Sequence, residues 1–388
     1  MLLGGLTVER FLAEHWQKRP LLVRGALPGI APPLSPDELA GLACEAEVES
    51  RIVTRQADPA RPYLLRQGPF HEHDFATLPE RDWTLLVQDC DKQAPSTAPF
   101  LDPFRFIPDW RIDDLMISYA TAGGGVGPHV DQYDVFLVQV LGRRRWQIAA
   151  PRPEAREIPG LDLRVLAEFS AEQEWVLEPG DLLYLPPGVP HHGVALDECM
   201  TCSVGFRAAT RRELFSDLAE LLYASIPEDA RYADPGLRAE EARPRGRIGP
   251  EALAAVRSAV RQHLHPSDEE LDRWFARFVT EPKPGLRPAL PDQPLDPEAL
   301  AEEIRAGGWL VRDPRALLAW VELPAGDLLL AADGVDHRLP AGLQPLVELL
   351  CATRECPPQA LGSYLGDPLA RALLAALQNQ GTLELETR

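Results

Sequence analysis

Hydrophobic positions recur with helical spacing near both ends of the chain and alternate with polar ones from about Leu115 to Phe206. Near the start, Val8, Phe11, Leu12 and His15 share one helical face and predict a helix over Val8–Trp16. The run Trp16-Gln-Lys18-Arg-Pro20 stops it ahead of a strand at Leu21–Arg24. Ser35-Pro-Asp-Glu38 is a capping box with proline at the first helical position, so a helix is expected over Leu39–Ala43. Asp74 reads as the cap of a further helix around Phe75–Val87. The pattern then shortens to strands at Leu115–Ala120, Val135–Val140, Trp146–Ala149, Trp175–Leu177, Asp181–Leu185 and Thr201–Phe206, punctuated by glycine and proline. Many short strands of this kind predict a sandwich or jelly roll, which can carry inward-facing ligands in its mouth. Helical periodicity returns after Phe206. Thr210-Arg-Arg-Glu213 opens a stripe of Leu214, Phe215, Leu218, Leu221 and Leu222; Arg231–Ile248 reads as a loop; Pro250 and Ser267-Asp-Glu-Glu270 open two more amphipathic helices. A proline-rich linker begins at Glu281, and beyond it Asp296-Pro297 starts a set of short helices and strands that suggests a winged-helix-like domain. The expectation is an α+β multidomain chain: residues 1–208 a jelly roll, 209–285 a helical region whose apolar faces suit self-association, and 286–388 the winged-helix-like domain.

Composition narrows the function classes. A chain of 388 residues exceeds one ordinary core, and no apolar run approaches the length of a membrane span. The first residues lack a basic stretch followed by an apolar one, so no signal peptide is expected. Six scattered cysteines form no disulfide framework; Cys199-x-x-Cys202 lies in a strand-like run and reads as two core thiols. A reducing cytoplasm fits. The formal charge of −20 argues against a nucleic-acid backbone as a direct partner and suits a basic macromolecule. The winged-helix-like segment follows suit, with 8 Lys+Arg against 15 Asp+Glu from residue 286 on. Protein contact is the better expectation there than DNA.

The candidate chemistry lies in the alternating region. Gly123-Gly-Gly-Val-Gly-Pro-His129-Val-Asp131 brings a glycine turn into a strand whose first histidine and carboxylate are two residues apart, hence on one face. Glu178-Pro-Gly-Asp and Leu185-Pro-Pro-Gly-Val-Pro-His191 deliver a second histidine from another turn. Two histidines and one carboxylate can hold one face of a non-haem Fe(II) and leave positions open. A single His-x-Asp is often no more than a hydrogen-bonded core histidine, but the turns and the arginines on the following strand favour metal. His192 faces the other way by strand parity and is expected outside the ligand set. Asp134, which could close a four-ligand site, is excluded by the same parity, whereas Tyr133 has the parity of a pocket wall. His71 and His73 form a rival pair but read as surface residues. Among Arg143, Arg144 and Arg145, a guanidinium turned inward would grip a carboxylate with two parallel hydrogen bonds. Fe(II) with three protein ligands needs a co-substrate that supplies electrons for O2, and a dicarboxylic keto acid suits both requirements.

These motifs resemble the JmjC-type 2-oxoglutarate oxygenases, and within them the bacterial ribosomal oxygenases that hydroxylate an arginine of large-subunit ribosomal protein sixteen. The resemblance rests on Trp16-Gln-Lys-Arg-Pro20, Ser35-Pro-Asp-Glu-Leu-Ala-Gly-Leu, the glycine turn through Phe136, Gly142-Arg-Arg-Arg-Trp146, Leu185-Pro-Pro-Gly-x-Pro-His191 and Ser203-Val-Gly-Phe-Arg207. It implies a JmjC/cupin double-stranded β-helix, a helical dimerisation region and a winged-helix-like end. It also implies Fe(II) on His129, Asp131 and His191, and 2-oxoglutarate on Arg144, fifteen positions after the first histidine, assisted by Ser118 and Ser203. The implied reaction consumes O2 and hydroxylates a basic ribosomal protein. The chain departs from the family pattern at Ala120, where relatives carry serine, and at His192, where an acid is expected. Two other readings stay open: an N-methyl demethylase with the same metal chemistry, and a non-catalytic cupin-like module.

Overall fold

Residues 2–151, 156–233 and 246–388 are described by the structure, a computed structural model. The loop expected over Arg231–Ile248 therefore falls, at residues 234–245, outside the described residues. The chain forms two compact units, one of residues up to Ala208 with Pro284–Leu286, the other of Ala209–Lys283 with Arg287–Arg388. The segment 209–285 thus lies, apart from its last two residues, in one unit with the C-terminal domain.

The first unit carries four helices, α1 (Val8–Glu14), α2 (Pro36–Leu42), α3 (Glu72–Ala76) and α4 (Cys90–Gln93). Its twelve strands are β1 (Leu21–Val23), β2 (Ser50–Arg55), β3 (Tyr63–Gln67), β4 (Trp83–Val87), β5 (Ile112–Ala120), β6 (His129–Val130), β7 (Asp134–Leu141), β8 (Arg144–Ile148), β9 (Gln173–Leu177), β10 (Leu182–Leu185), β11 (Pro190–Ala195) and β12 (Cys199–Phe206). They form an eight-stranded sheet in the order β1-β10-β7-β12-β5-β4-β2-β3 and a four-stranded sheet in the order β6-β11-β8-β9. All described pairings within the two sheets are antiparallel, which makes the jelly roll. Strand alternation separates two apolar layers. Leu115, Ile117, Phe136, Val138, Tyr184, Cys202 and Val204 face the core built with α1 and α2, while Val135, Leu137, Leu183 and Leu185 turn inward to meet Trp146 and Ile148.

The Trp16-Gln-Lys-Arg-Pro20 motif ties the N-terminus to this frame. Gln17 takes a left-handed φ of 56°, its N–H donates to the Tyr184 hydroxyl at 2.8 Å, and its side chain donates to Asp134 at 3.1 Å. Trp16 stacks on Tyr184 and meets Phe206 edge-on. The capping box at Ser35 is present in full: Ser35 Oγ accepts from the Glu38 N–H, and Glu38 accepts from the Ser35 N–H. The single helix expected around Phe75–Val87 is not formed. A short α3 ends at Ala76, Asp74 sits within it and accepts from the His71 N–H, and β4 begins at Trp83. Pro79 and a left-handed Asp82 break the helix, and the apolar run that follows is a sheet strand with Thr84 to Val87 buried.

In the second unit α5 (Arg211–Ala224), α6 (Pro250–Arg261) and α7 (Asp268–Thr280) follow the predicted caps, with Thr210 and Ser267 both closing capping boxes. Four further helices, α8 (Pro297–Arg305), α9 (Gln344–Ala352), α10 (Pro358–Leu361) and α11 (Pro368–Asn379), surround a core of Leu300, Ile304, Leu346, Leu350, Leu373 and Leu377. Two three-stranded sheets complete it. The strands Trp309–Arg312, Val335–Leu339 and Leu383–Glu386 were not predicted; each is short and carries charged residues. Among the described residues, no helix is long and apolar enough to cross a membrane.

Candidate active site

Two glycine turns build the site. Gly127 has a φ of 84° and Gly188 a φ of 83°, a region that side chains avoid, and each turn launches a histidine-bearing strand. β6 and β11 pair with His129 directly opposite His191. The Nδ1 atom of His129 lies 3.0 Å from the Gly127 carbonyl, and that of His191 lies 2.9 Å from the Val189 carbonyl. Each ring can therefore donate from Nδ1 to a carbonyl two residues behind it, which leaves Nε2 as a lone-pair donor aimed forward. Asp131 Oδ2 lies 3.7 Å from Nε2 of His129 and 3.5 Å from Nε2 of His191. One ligand atom from each of the three residues falls within 4.8 Å of the others, and among the described residues this is the one such group. Burial, reinforced by His129, lowers the His191 pKa to about 4, so its imidazole stays neutral and able to bind metal at neutral pH. The donor set fits a divalent transition metal: two imidazoles and a carboxylate on one side, and no fourth protein ligand.

Inward from this group lies a buried cation. Arg144, at 4% exposure, sends Nη1 to Ser118 Oγ at 3.3 Å, while its Nε has no partner. Its guanidinium lies over Trp146, and among the described residues no carboxylate pairs with it. Desolvation pulls its pKa downward, a sign that the site lacks a counter-charge. A dicarboxylate reaching in from the metal would supply it. Gly193 makes the space: a Cβ there would come within 2.8 Å of Arg144 Nε and 2.7 Å of the Trp146 ring.

Register decides which polar residues join Arg144. β5 and β12 set Ser118 opposite Thr201, and β12 and β7 set Thr201 opposite Gln139, whose Oε1 accepts from Thr201 Oγ1 at 3.0 Å. Ser203 is also buried and inward, but it stands opposite Met116 and Leu137, one inward position from the Ser118 rung. Thr201 and Gln139 were missed because pairing register is not written in a single strand. Asp114 was missed too: it is buried on the same face as Met116 and Ser118, and accepts from the Asp89 N–H at 3.1 Å.

The remaining expectations divide. Asp134 is fully buried on the opposite face of β7, where it accepts from the Tyr184 hydroxyl at 2.5 Å, and is no part of the metal group. His192 lies outside the group and packs edge-on against Phe169. His71 and His73 are exposed. Tyr133 is not an interior wall: β6 ends at Val130, and Tyr133 falls in the following turn at 43% exposure. Its phenol pKa is raised by partial burial and then by the charges of Asp131 and Asp114, which places it beside the carboxylates of the mouth.

A jelly roll with an inward two-histidine, one-carboxylate group and a buried arginine beyond it defines the JmjC class of metal-dependent oxygenase folds. Residues 99–214 match the JmjC domain family, and residues 259–384 match the ROXA-like winged helix. The chain belongs to the ribosomal oxygenase family. It is 38% identical, over 96% of its length and 95% of the relative's, to the ribosomal protein uL16 3-hydroxylase of Escherichia coli. It is 33% identical to a probable ribosomal oxygenase of Haemophilus influenzae, over 82% of this chain and 80% of that one. Among solved structures it resembles Escherichia coli YcfD, with 37% identity, a TM-score of 0.84, and 98% of this chain and 99% of that one covered. It also resembles the ribosomal oxygenase YcfD in complex with cobalt and 2-oxoglutarate, at 36% identity and a TM-score of 0.81 over 99% of both chains.

Proposed function

We propose that this protein is an Fe(II)- and 2-oxoglutarate-dependent oxygenase that hydroxylates an arginine side chain, at its 3-position, in ribosomal protein uL16. The observation that carries the reading is the convergence of His129, Asp131 and His191 within 4.8 Å, together with a buried arginine that has no anionic partner. His129, Asp131 and His191 would hold the metal through Nε2, a carboxylate oxygen and Nε2. Fe(II) bound there with 2-oxoglutarate supplies oxygen activation, one atom of O2 going to the substrate carbon and the other to succinate as CO2 leaves. The chain's own contribution is placement. Arg144 anchors the far carboxylate of the co-substrate, Ser118 and Thr201 flank it, and Leu137, Trp146, Ile148 and Leu185 keep water from the interior. Asp114 and Asp131 give the mouth a negative charge that suits a basic side chain.

The relative named a uL16 3-hydroxylase, its extent of match and the acidic surface support this substrate. The experiment is incubation of the full chain with Fe(II), 2-oxoglutarate, O2 and purified uL16, read by intact mass and succinate release. A gain of one oxygen on an arginine is the expected result. Formaldehyde release from an N-methylated peptide without that gain would make the protein a demethylase, and neither product would leave a binding module. α5 and α6 bury none of their side chains, with Phe215 at 71% and Tyr223 at 80% exposure, so we read this surface as the seam of a homodimer in the cytoplasm. Light scattering of the native chain and of Phe215→Glu/Tyr223→Glu tests it: a native mass of one chain refutes the seam.

A further inference from the structure

The C-terminal unit contains a cavity of about 420 Å³ that plays no part in the chemistry above. Leu290, Leu295 and Leu385 give it apolar walls, and Leu290 is itself 74% exposed at its edge. Gln378, on α11, lines the same cavity at 4% exposure, and its Oε1 has no hydrogen-bond partner. Buried amide oxygens are almost always paired, so an unpaired one facing a cavity signals a missing donor. Glu303 and Glu384 also line the cavity, and neither forms an ion pair among the described residues. No lysine or arginine is in the lining.

The required occupant has an apolar stem and several donors at its tip. A neutral alcohol would satisfy Gln378 and leave two carboxylates unanswered; an anion would be repelled by them. The aliphatic stem and cationic head of lysine or arginine meet both demands, because such side chains lay their methylenes on apolar surface while the head seeks acceptors. Nucleic acid is disfavoured by the excess of acid over base in this part of the chain, 15 against 8 from residue 286 on. We propose that this cavity takes one lysine or arginine side chain of a basic protein chain, a docking point additional to the metal site. That the side chain comes from a protein rests on the function proposed above; the preference for an alkyl cation does not.

The test uses the full-length protein with 13C-labelled leucine methyls and n-butylguanidinium, which is the stem and head of arginine. Saturable shifts are expected at the Leu290 and Leu295 methyls. The Kd should rise about tenfold or more in Gln378→Leu, and likewise in Glu303→Gln/Glu384→Gln, whose positions are exposed and leave the fold intact. Neutral n-butylurea should move these methyls far less. Absent shifts, an equal response to the urea, or an unchanged Kd in the acid-pair variant would overturn the proposal and leave Gln378 to a water molecule. A blocked Gly-Arg-Gly tripeptide should shift the same methyls; if spermidine does so and the tripeptide does not, the protein source is wrong. The titration needs neither iron nor 2-oxoglutarate, so its outcome is separate from that of turnover.

Discussion

Arg144→Met separates a co-substrate anchor from an ordinary core residue, because the two roles predict opposite signs of stability change. Without co-substrate, Arg144 is a buried cation with one 3.3 Å hydrogen bond to Ser118 and an unpaired Nε. Removing an ion from water costs several kcal/mol, and here no carboxylate offsets it. Methionine has a similar length and no charge. The variant should therefore match the native protein in apparent Tm without ligand, or exceed it by the equivalent of about 1–4 kcal/mol. With 2-oxoglutarate the order reverses. Native protein at a hundredfold excess over Kd gains about 2.7 kcal/mol of stabilisation, which the variant should lose. Deleting one partner of a buried ion pair costs about 3–5 kcal/mol, so the KM for 2-oxoglutarate should rise roughly two to three orders of magnitude. Thermal unfolding with Mn(II) in place of Fe(II), with and without 2-oxoglutarate, reads both effects, and succinate production reads the third. If the unliganded variant melts several degrees lower while 2-oxoglutarate still raises its Tm as in the native chain, Arg144 is a structural residue and the assignment fails.

Three further outcomes test the frame around the metal. Asp131→Asn removes the carboxylate that faces both Nε2 atoms at 3.5 and 3.7 Å, so Co(II) affinity followed by its visible absorption should drop by at least about tenfold with little change in Tm; undiminished affinity would remove Asp131 from the ligand set. Gly127→Ala puts a Cβ 2.7 Å from the Tyr63 ring and 2.9 Å from Val165 at a φ of 84°. The variant should lose about 2–4 kcal/mol of stability and weaken Co(II) binding, as the carbonyl that orients His129 shifts; full affinity would mean the turn does not set the ring. Ser35→Ala breaks the capping box on α2, far in sequence from any ligand, and should cost about 1 kcal/mol in denaturant unfolding while leaving Co(II) affinity unchanged.

What could be read from the chain depended on how local the rule was. His129 and Asp131 share a face because they are two residues apart, and the capping boxes at Ser35, Thr210 and Ser267 need only four residues each. Both formed as the spacing predicts. Where a strand ended, parity lost its meaning: Tyr133 has the inward count from His129 but lies past the end of β6, in a turn. Where an apolar run was short, period could not separate helix from strand, and Trp83–Val87 became a sheet strand instead of the end of a helix. Ser203 was preferred to Thr201 because the choice between them is a pairing register, set by contacts between distant segments.

That register is also what gives the interior its dimensions. The inward rungs along β5, β12 and β7 run Ser118–Thr201–Gln139, then Met116–Ser203–Leu137, then Asp114–Gly205–Val135. Each step is two residues, about 6.7 Å, so the rung beside Arg144 and the rung bearing Asp114 are roughly 13 Å apart. The backbone thus fixes, before any ligand arrives, the distance between the anchor for a small dicarboxylate and the acid nearest the mouth. Gly205 keeps the outer rung open, since a Cβ there would lie 3.2 Å from Asp114 Oδ1. A slip of one residue in β12 would turn Thr201 and Ser203 to the core and bring Cys202 and Val204 inward. The polar rung would vanish, leaving Arg144 buried among apolar side chains. The register of β12 is therefore tied to the co-substrate pocket, and the bulges at its two ends, between Met200 and Thr201 against β7 and between Gly205 and Phe206 against β5, bracket the stretch over which it is kept.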